Sequence, residues 1–148
     1  IMVPMKRDRF VVKAAGPDAK GTKEGLIKLI SLAQQHKNCV IVVPTFERLN
    51  HTILAEALGR DLAEKFIKLR RIDFTDGSSI DLCSKSTLKN FTSGDVYLGL
   101  WVSKDIINSI ESSAFQAKAI VVVTWSASDS KEWEETYDVE TIYQSNQD

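Results

Sequence analysis

The chain is poor in the residues that most often carry chemistry. It has two histidines, His36 and His51, far apart and without any Cys/His spacing that suits zinc. Its two cysteines, Cys39 and Cys83, both lie in apolar strand-like stretches. They read as buried, reduced thiols rather than a disulfide framework, and this points to a cytoplasmic setting. No G-x-S-x-G elbow accompanies a histidine, so Ser/His/Asp catalysis has no foothold. No apolar run reaches the roughly 20 residues of a membrane span, and IMVPMKRDRF lacks the apolar region of a signal peptide. Neither a catalytic residue, a metal, a cofactor nor a membrane partner is expected on these grounds.

What is present is an ordinary globular composition in 148 residues, 43% hydrophobic and 26% charged, enough for one domain with a real core. The expected domain is 5–143, with Ile1–Pro4 an added remnant ahead of a native start at Met5 and 144–148 a disordered tail. Net charge is −1 but unevenly spread: residues 1–74 carry 14 Lys and Arg against 8 Asp and Glu, and residues 75–148 carry 5 against 12. The basic excess is densest at RDLAEKFIKLRR, 60–71, where Lys68, Arg70 and Arg71 are candidates for nucleic-acid phosphates; two solvated helix faces are the blander alternative. Complementary basic and acidic faces would also suit a protein partner or a homo-oligomer.

Patterning places the elements. Arg9–Ala15 reads as a strand. A helix follows from Thr22, its expected N-cap, with Leu26, Ile27, Leu29, Ile30 and Ala33 at helical spacing. CVIVVP, 39–44, reads as a strand buried on both faces. A helix from about Asn50 carries Leu54, Leu58, Leu62 and Phe66 at i+4 intervals, with Gly59 set to kink or split it. RRIDFTDGSSIDLC, 70–83, reads as a hairpin with a three-residue loop, Thr75-Asp76-Gly77. That register puts Ile72 opposite Ile80, Arg71 opposite Asp81 and Asp73 opposite Ser79; a two-residue loop would mix the faces. DVYLGLW, 95–101, is a strand, Ser103 caps a helix with Ile106, Ile107 and Ile110, and AIVVVTW, 119–125, is a strand. A short acidic helix and a last strand at Glu140–Tyr143 complete the chain. Alternation of this kind implies a three-layer α/β/α domain with a mostly parallel sheet, phosphate-loop-NTPase-like or Rossmann-like.

One stretch bears on function. GPDAKGTKEG, 16–25, joins the first strand to the first helix and has Gly16 and Gly21 at the spacing of a phosphate loop. The loop needs Lys and then Ser/Thr after its last glycine; here Thr22 precedes Lys23. Together with CVIVVPT and IDFTDGSSIDL, this order of motifs resembles the first RecA-like domain of superfamily 2 helicases and phage terminases. The resemblance implies a RecA-like fold, with Gly16, Gly21, Thr22 and Lys23 as the phosphate-loop counterpart in a degenerate Walker A. No strand ends in the acids that would hold Mg²⁺ and orient water, so hydrolysis is not expected. Pro44-Thr45, Trp101, Trp125 and Ser126 should share the carboxyl edge of the sheet, where open α/β sheets bind ligands and where a flat group would stack on indole. Indoles that merely seal the core end are the alternative. The expected activity is binding without hydrolysis, of a nucleotide, an anion or a protein partner. A nucleic-acid-binding module using 60–71, or an enzyme of nucleotide or nucleic-acid metabolism with an unfamiliar site, is the alternative.

Overall fold

A computed structural model describes residues 7–46 and 51–145. The expectations for Ile1–Pro4, Met5, Asn50 and residues 146–148 lie outside these described residues. The elements run β1 Asp8–Lys13, α1 Ala19–Ala33, β2 Asn38–Val43, α2 His51–Leu58, α3 Arg60–Leu69, β3 Arg71–Asp73 and β4 Ser79–Ser84. A 3-10 helix Lys85–Asn90 leads to β5 Val96–Val102, α4 Lys104–Ser113 and β6 Ala119–Thr124. A second 3-10 turn, Ala127–Ser130, runs into α5 Lys131–Thr136, and β7 Glu140–Gln144 closes the chain.

The seven strands form one sheet in the order β3-β4-β2-β5-β6-β1-β7. Every neighbouring pair is parallel except β3–β4. Four of the five inner strands, β2, β5, β6 and β1, hold the unalternating runs, because both of their faces are covered. On one face Val12, Ile41, Leu98 and Val121 pack under α1, α2 and α3, with Leu26, Leu29, Leu54 and Phe66 buried among them. On the other, Val11, Val40, Tyr97 and Val122 pack under α4 and α5, with Ile107, Ile110 and Trp133.

The hairpin has the expected register, with Arg71 opposite Asp81, Ile72 opposite Ile80 and Asp73 opposite Ser79. Gly77 takes φ +90° in its loop, where a side chain would be strained. Gly59, at φ +88°, splits the basic helix in two. That break corrects the i+4 series: the register restarts at α3, so Leu62 is exposed and Ala63 joins Phe66 on the buried side. The N-cap of α1 also differs from expectation. It is Asp18, whose carboxylate accepts from the Gly21 N–H at 2.9 Å, while Thr22 lies one turn inside the helix and is buried. Asp is a stronger cap than Thr, and it comes first. β7 continues through Gln144, which pairs with Lys13, and the Ser145 N–H donates to the Lys13 carbonyl. The ordered strand therefore passes the expected end at residue 143.

Candidate functional site

All the parallel strands end on the same side, so Gly16, Thr45, Trp101, Trp125 and Ser126 do share the carboxyl edge of the sheet. They do not make one site. β5 lies between the strand that Thr45 follows and the strand that Trp125 follows, a separation of about 10 Å at the usual strand spacing. Gly16 and Trp125 do meet, the Gly16 N–H donating to the Trp125 carbonyl at 2.6 Å. Gly16 adopts φ +64°, which lets the chain leave β1 and turn into α1.

The two tryptophans have opposite fates. Trp125 stands just past β6 and is 51% exposed. Trp101 is buried, and it sits within β5, where the pairing with β6 skips from Leu100 to Val102. The extra residue is Trp101 itself, at φ +57°. Such a bulge breaks alternation, so Trp101 turns to the same face as Leu100. Its indole N–H donates to the Thr22 hydroxyl at 3.0 Å, and that hydroxyl donates in turn to the Asp18 carbonyl at 2.8 Å. Thr22 occupies the position that the lysine takes in a phosphate loop. Here it serves as the polar anchor of a core indole.

The first turn of α1 is closed in the same way from outside. Asp18 Oδ1 takes the Gly21 amide, and the Tyr143 hydroxyl, from β7, donates to Asp18 Oδ2 at 3.1 Å. Burial, then the hydrogen bond and negative charge of Asp18, hold the Tyr143 phenol above its ordinary pKa. A carboxylate thus sits where helix amides and dipole favour an anion. Gly21 has a packing reason as well: a Cβ there would meet Tyr143 Cε1 at 3.0 Å and Val12 Cγ1 at 3.1 Å. Gly25, one turn on, would meet Val123 Cγ2 at 2.5 Å. The two glycines let α1 lie down on β1 and β6. Lys23 points out from the same turn and is exposed.

Ser126 caps the following 3-10 turn, its N–H donating to Asp129 Oδ2 at 3.0 Å and its hydroxyl lying 3.2 Å from that of Ser128. Thr124 ties the ends of β1 and β6, accepting from the Ala14 N–H at 3.0 Å and donating to the Ala14 carbonyl at 2.8 Å. Of the basic candidates, Lys68 is exposed on α3. Arg70 lies 3.6 Å above the Phe46 ring, and Arg71 is paired with Asp73 at 3.1 Å and Asp81 at 3.0 Å. Among the described residues no cluster of three His, Cys, Asp or Glu is placed to hold a metal ion, and no helix is long and apolar enough to cross a membrane.

Asp18 and Tyr143 went unread in the sequence. The first had a signal in the Pro17-Asp18 pair ahead of the helix; the second had none, because its partner is 125 residues away.

A mostly parallel α/β sheet with helices on both faces and a strand–turn–helix at its first βα junction is the three-layer α/β/α fold class expected from the sequence. One comparison with a solved structure agrees on the fold. The chain is similar to the UvsW helicase from bacteriophage T4, with a TM-score of 0.53 and 12% identity over 94% of this chain and 55% of that one. It also aligns with a mutant of the large terminase ATPase domain of Thermus phage P74-26, with a TM-score of 0.40 and 12% identity over 80% of this chain and 59% of that one. The chain spans little more than half the length of either. No family model and no curated protein matches the sequence.

Proposed function

We propose that this chain is a binding domain of RecA-like architecture that does not hydrolyse nucleotides. The observation that carries the reading is the closed start of α1, where Asp18 accepts from Gly21 and is held by Tyr143. A phosphate brought to those amides would meet a carboxylate. Hydrolysis would further need a lysine on the β/γ-phosphates and a hydroxyl on Mg²⁺. Thr22, committed to Trp101, and the outward Lys23 supply neither. GPDAKGTK is on this reading a degenerate Walker A whose glycines serve a turn and a helix contact. What the carboxyl edge offers a partner is the exposed Trp125 with Gly16 and Ser126, and Thr45 two strands away. The fitting partner is a protein that covers this edge rather than a free nucleotide or anion. Two buried thiols on opposite faces of the sheet support a reducing, cytoplasmic setting.

The test combines phosphate release with thermal unfolding. With Mg²⁺ and millimolar ATP or GTP, release should stay at the blank and Tm should not rise. Release above the blank, or a rise of several degrees with either nucleotide, overturns the reading, since a ligand held by the folded state raises its stability.

A second reading is favoured by one observation, the exposed Lys65 and Lys68 on α3 beside Arg60 and Arg70. It makes the domain a nucleic-acid binder. Arg71 is a poor residue to test it on, because reversing its charge breaks the hairpin pair with Asp81. Lys65→Glu with Lys68→Glu leaves that pair intact. Retention on DNA that falls steeply with salt in the parent, and disappears in this variant, supports the reading; equal retention by both chains defeats it.

A further inference from the structure

The loop between β3 and β4 carries a pair of residues that can react with each other. Asp76 and Gly77 stand at its tip, and both are exposed. The sequence has this one Asp-Gly and no Asn-Gly. An aspartyl carboxyl can close on the next backbone nitrogen, and glycine there has no side chain to crowd the attack. The Gly77 nitrogen bonds to Asp76 Cγ and gives up its proton, and the carboxyl hydroxyl leaves as water. The product is a five-membered succinimide. Water then opens the ring. Attack at Cγ restores aspartate, whereas attack at the main-chain carbonyl leaves Gly77 joined to Cγ, as isoaspartate. One water is lost and one regained, so neither mass nor oxidation state changes.

The fold holds both reacting groups. Asp76 Oδ1 accepts from the Ser78 hydroxyl at 2.6 Å and from the Ser78 N–H at 2.9 Å. Those two bonds, with the charge of Lys37 adding to them, keep the carboxyl below its ordinary pKa. It therefore stays ionised, and an ionised carboxylate has no hydroxyl to lose. The nucleophile is engaged as well, since the Gly77 N–H donates to the Phe74 carbonyl at 3.1 Å. Ser78 is itself fixed. It is buried, its carbonyl accepts from the Phe74 N–H at 2.9 Å, and it lies at a hollow shared with Ile30 and Ala33 of α1.

We propose that Asp76-Gly77 is a site of isoaspartate formation that the folded hairpin guards through Ser78, so that the loop is modified when it opens. Isoaspartate routes the main chain through Cβ and Cγ, which adds one backbone atom to a three-residue loop. It also removes the side-chain carboxylate that Ser78 binds. Loop length sets hairpin register, so the change should loosen β3, which is an edge strand of three residues. The site stands apart from the first turn of α1, so its fate is independent of the hydrolysis question.

The test incubates the intact chain for weeks at neutral pH, folded in buffer and unfolded in guanidinium. Trypsin then releases the peptide 72–85, cut after Arg71 and Lys85. Isoaspartate appears as a second peak of unchanged mass, and fragmentation places it. It should form at residue 76 at least about tenfold faster in the unfolded chain, the rate equivalent of two ordinary hydrogen bonds. Asp73 and Asp81, in the same peptide, precede the bulky Phe74 and Leu82 and should stay unchanged. Ser78→Ala, with circular dichroism matching the parent, should speed the folded-state reaction about two- to tenfold. Its unfolded rate should equal the parent's. No isoaspartate at residue 76 in the unfolded chain overturns the site. Equal rates in the folded and unfolded parent overturn the guard, a comparison that stands even where Ser78→Ala does not fold. A folded Ser78→Ala that reacts at the parent rate overturns the role of Ser78.

Discussion

Trp101 is where one residue does most to decide what this domain can do. An indole at φ +57° is an uncommon sight, since a side chain in the left-handed region crowds its own backbone. The bulge that puts it there turns it under α1, where Thr22 receives its N–H. The hydroxyl that might have faced a ligand is thereby spent inside the core. Thr22→Val keeps the shape and removes the acceptor, leaving a buried indole N–H without a partner. The expected loss is about 1–3 kcal/mol, the cost of stranding one buried donor, read as a lower urea midpoint with an unchanged slope. A loss under about 0.5 kcal/mol, the level of a neutral surface change, would mean that the indole is satisfied some other way. None of this was visible in DVYLGLW. A strand apolar at every position carries no facing signal, so a bulge in it leaves no trace in the pattern.

At the scale of elements, the α5 side is clasped by one carboxylate. Glu111, on α4, takes Arg7 Nη1 at 2.9 Å, Arg9 Nε, and Trp133 Nε1 of α5 at 2.8 Å. Arg9 also stacks 3.7 Å above Tyr137. Burial pushes the Glu111 carboxyl up, but the hydrogen bonds from Arg9 and Trp133 and the charges of Arg9 and Arg7 outweigh it, so its pKa falls below the ordinary value. The unfolded chain therefore takes up the proton first as pH drops. The clasp contributes fully above the ordinary glutamate range near ~4.3, and its contribution is lost as pH falls through the lower folded value. Glu111→Gln should cost about 3 kcal/mol at neutral pH, because two nearly buried guanidinium groups lose their counter-charge. The gap between the urea midpoints of the two chains should narrow below about pH 4; a gap constant with pH would show that the charge is not what matters. The clasp joins β1, α4 and α5 over more than a hundred residues, so no local pattern announced it. The hairpin and the Gly59 split were legible for the opposite reason: both are settled by neighbours in sequence, through turn chemistry and face matching.

At the scale of the molecule, one sheet separates two hydrophobic layers, and each layer contains one cysteine. Cys39 faces α1–α3 and Cys83 faces α4 and α5. Both are buried, and burial first, with Asp95 near Cys39 and Asp81 near Cys83 second, pushes each thiol to about 12. In the folded chain neither should react with a thiol reagent at neutral pH, because the thiolate is the nucleophile. Each then reports the opening of its own layer. The inner strands β2, β5, β6 and β1 contribute side chains to both layers in alternation, so losing one layer unseats the residues that hold the other. A domain built this way should unfold in one step. Pulsed labelling through a urea titration should expose Cys39 and Cys83 at the same midpoint, matching the loss of helical signal. Earlier labelling of Cys83 would mean that the α4–α5 layer opens by itself, as a sub-globular unit of lower stability. The Glu111 clasp belongs to that layer, so Glu111→Gln gives a second check. In a single cooperative unit it should lower both midpoints equally, whereas in a divided one it should lower only that of Cys83.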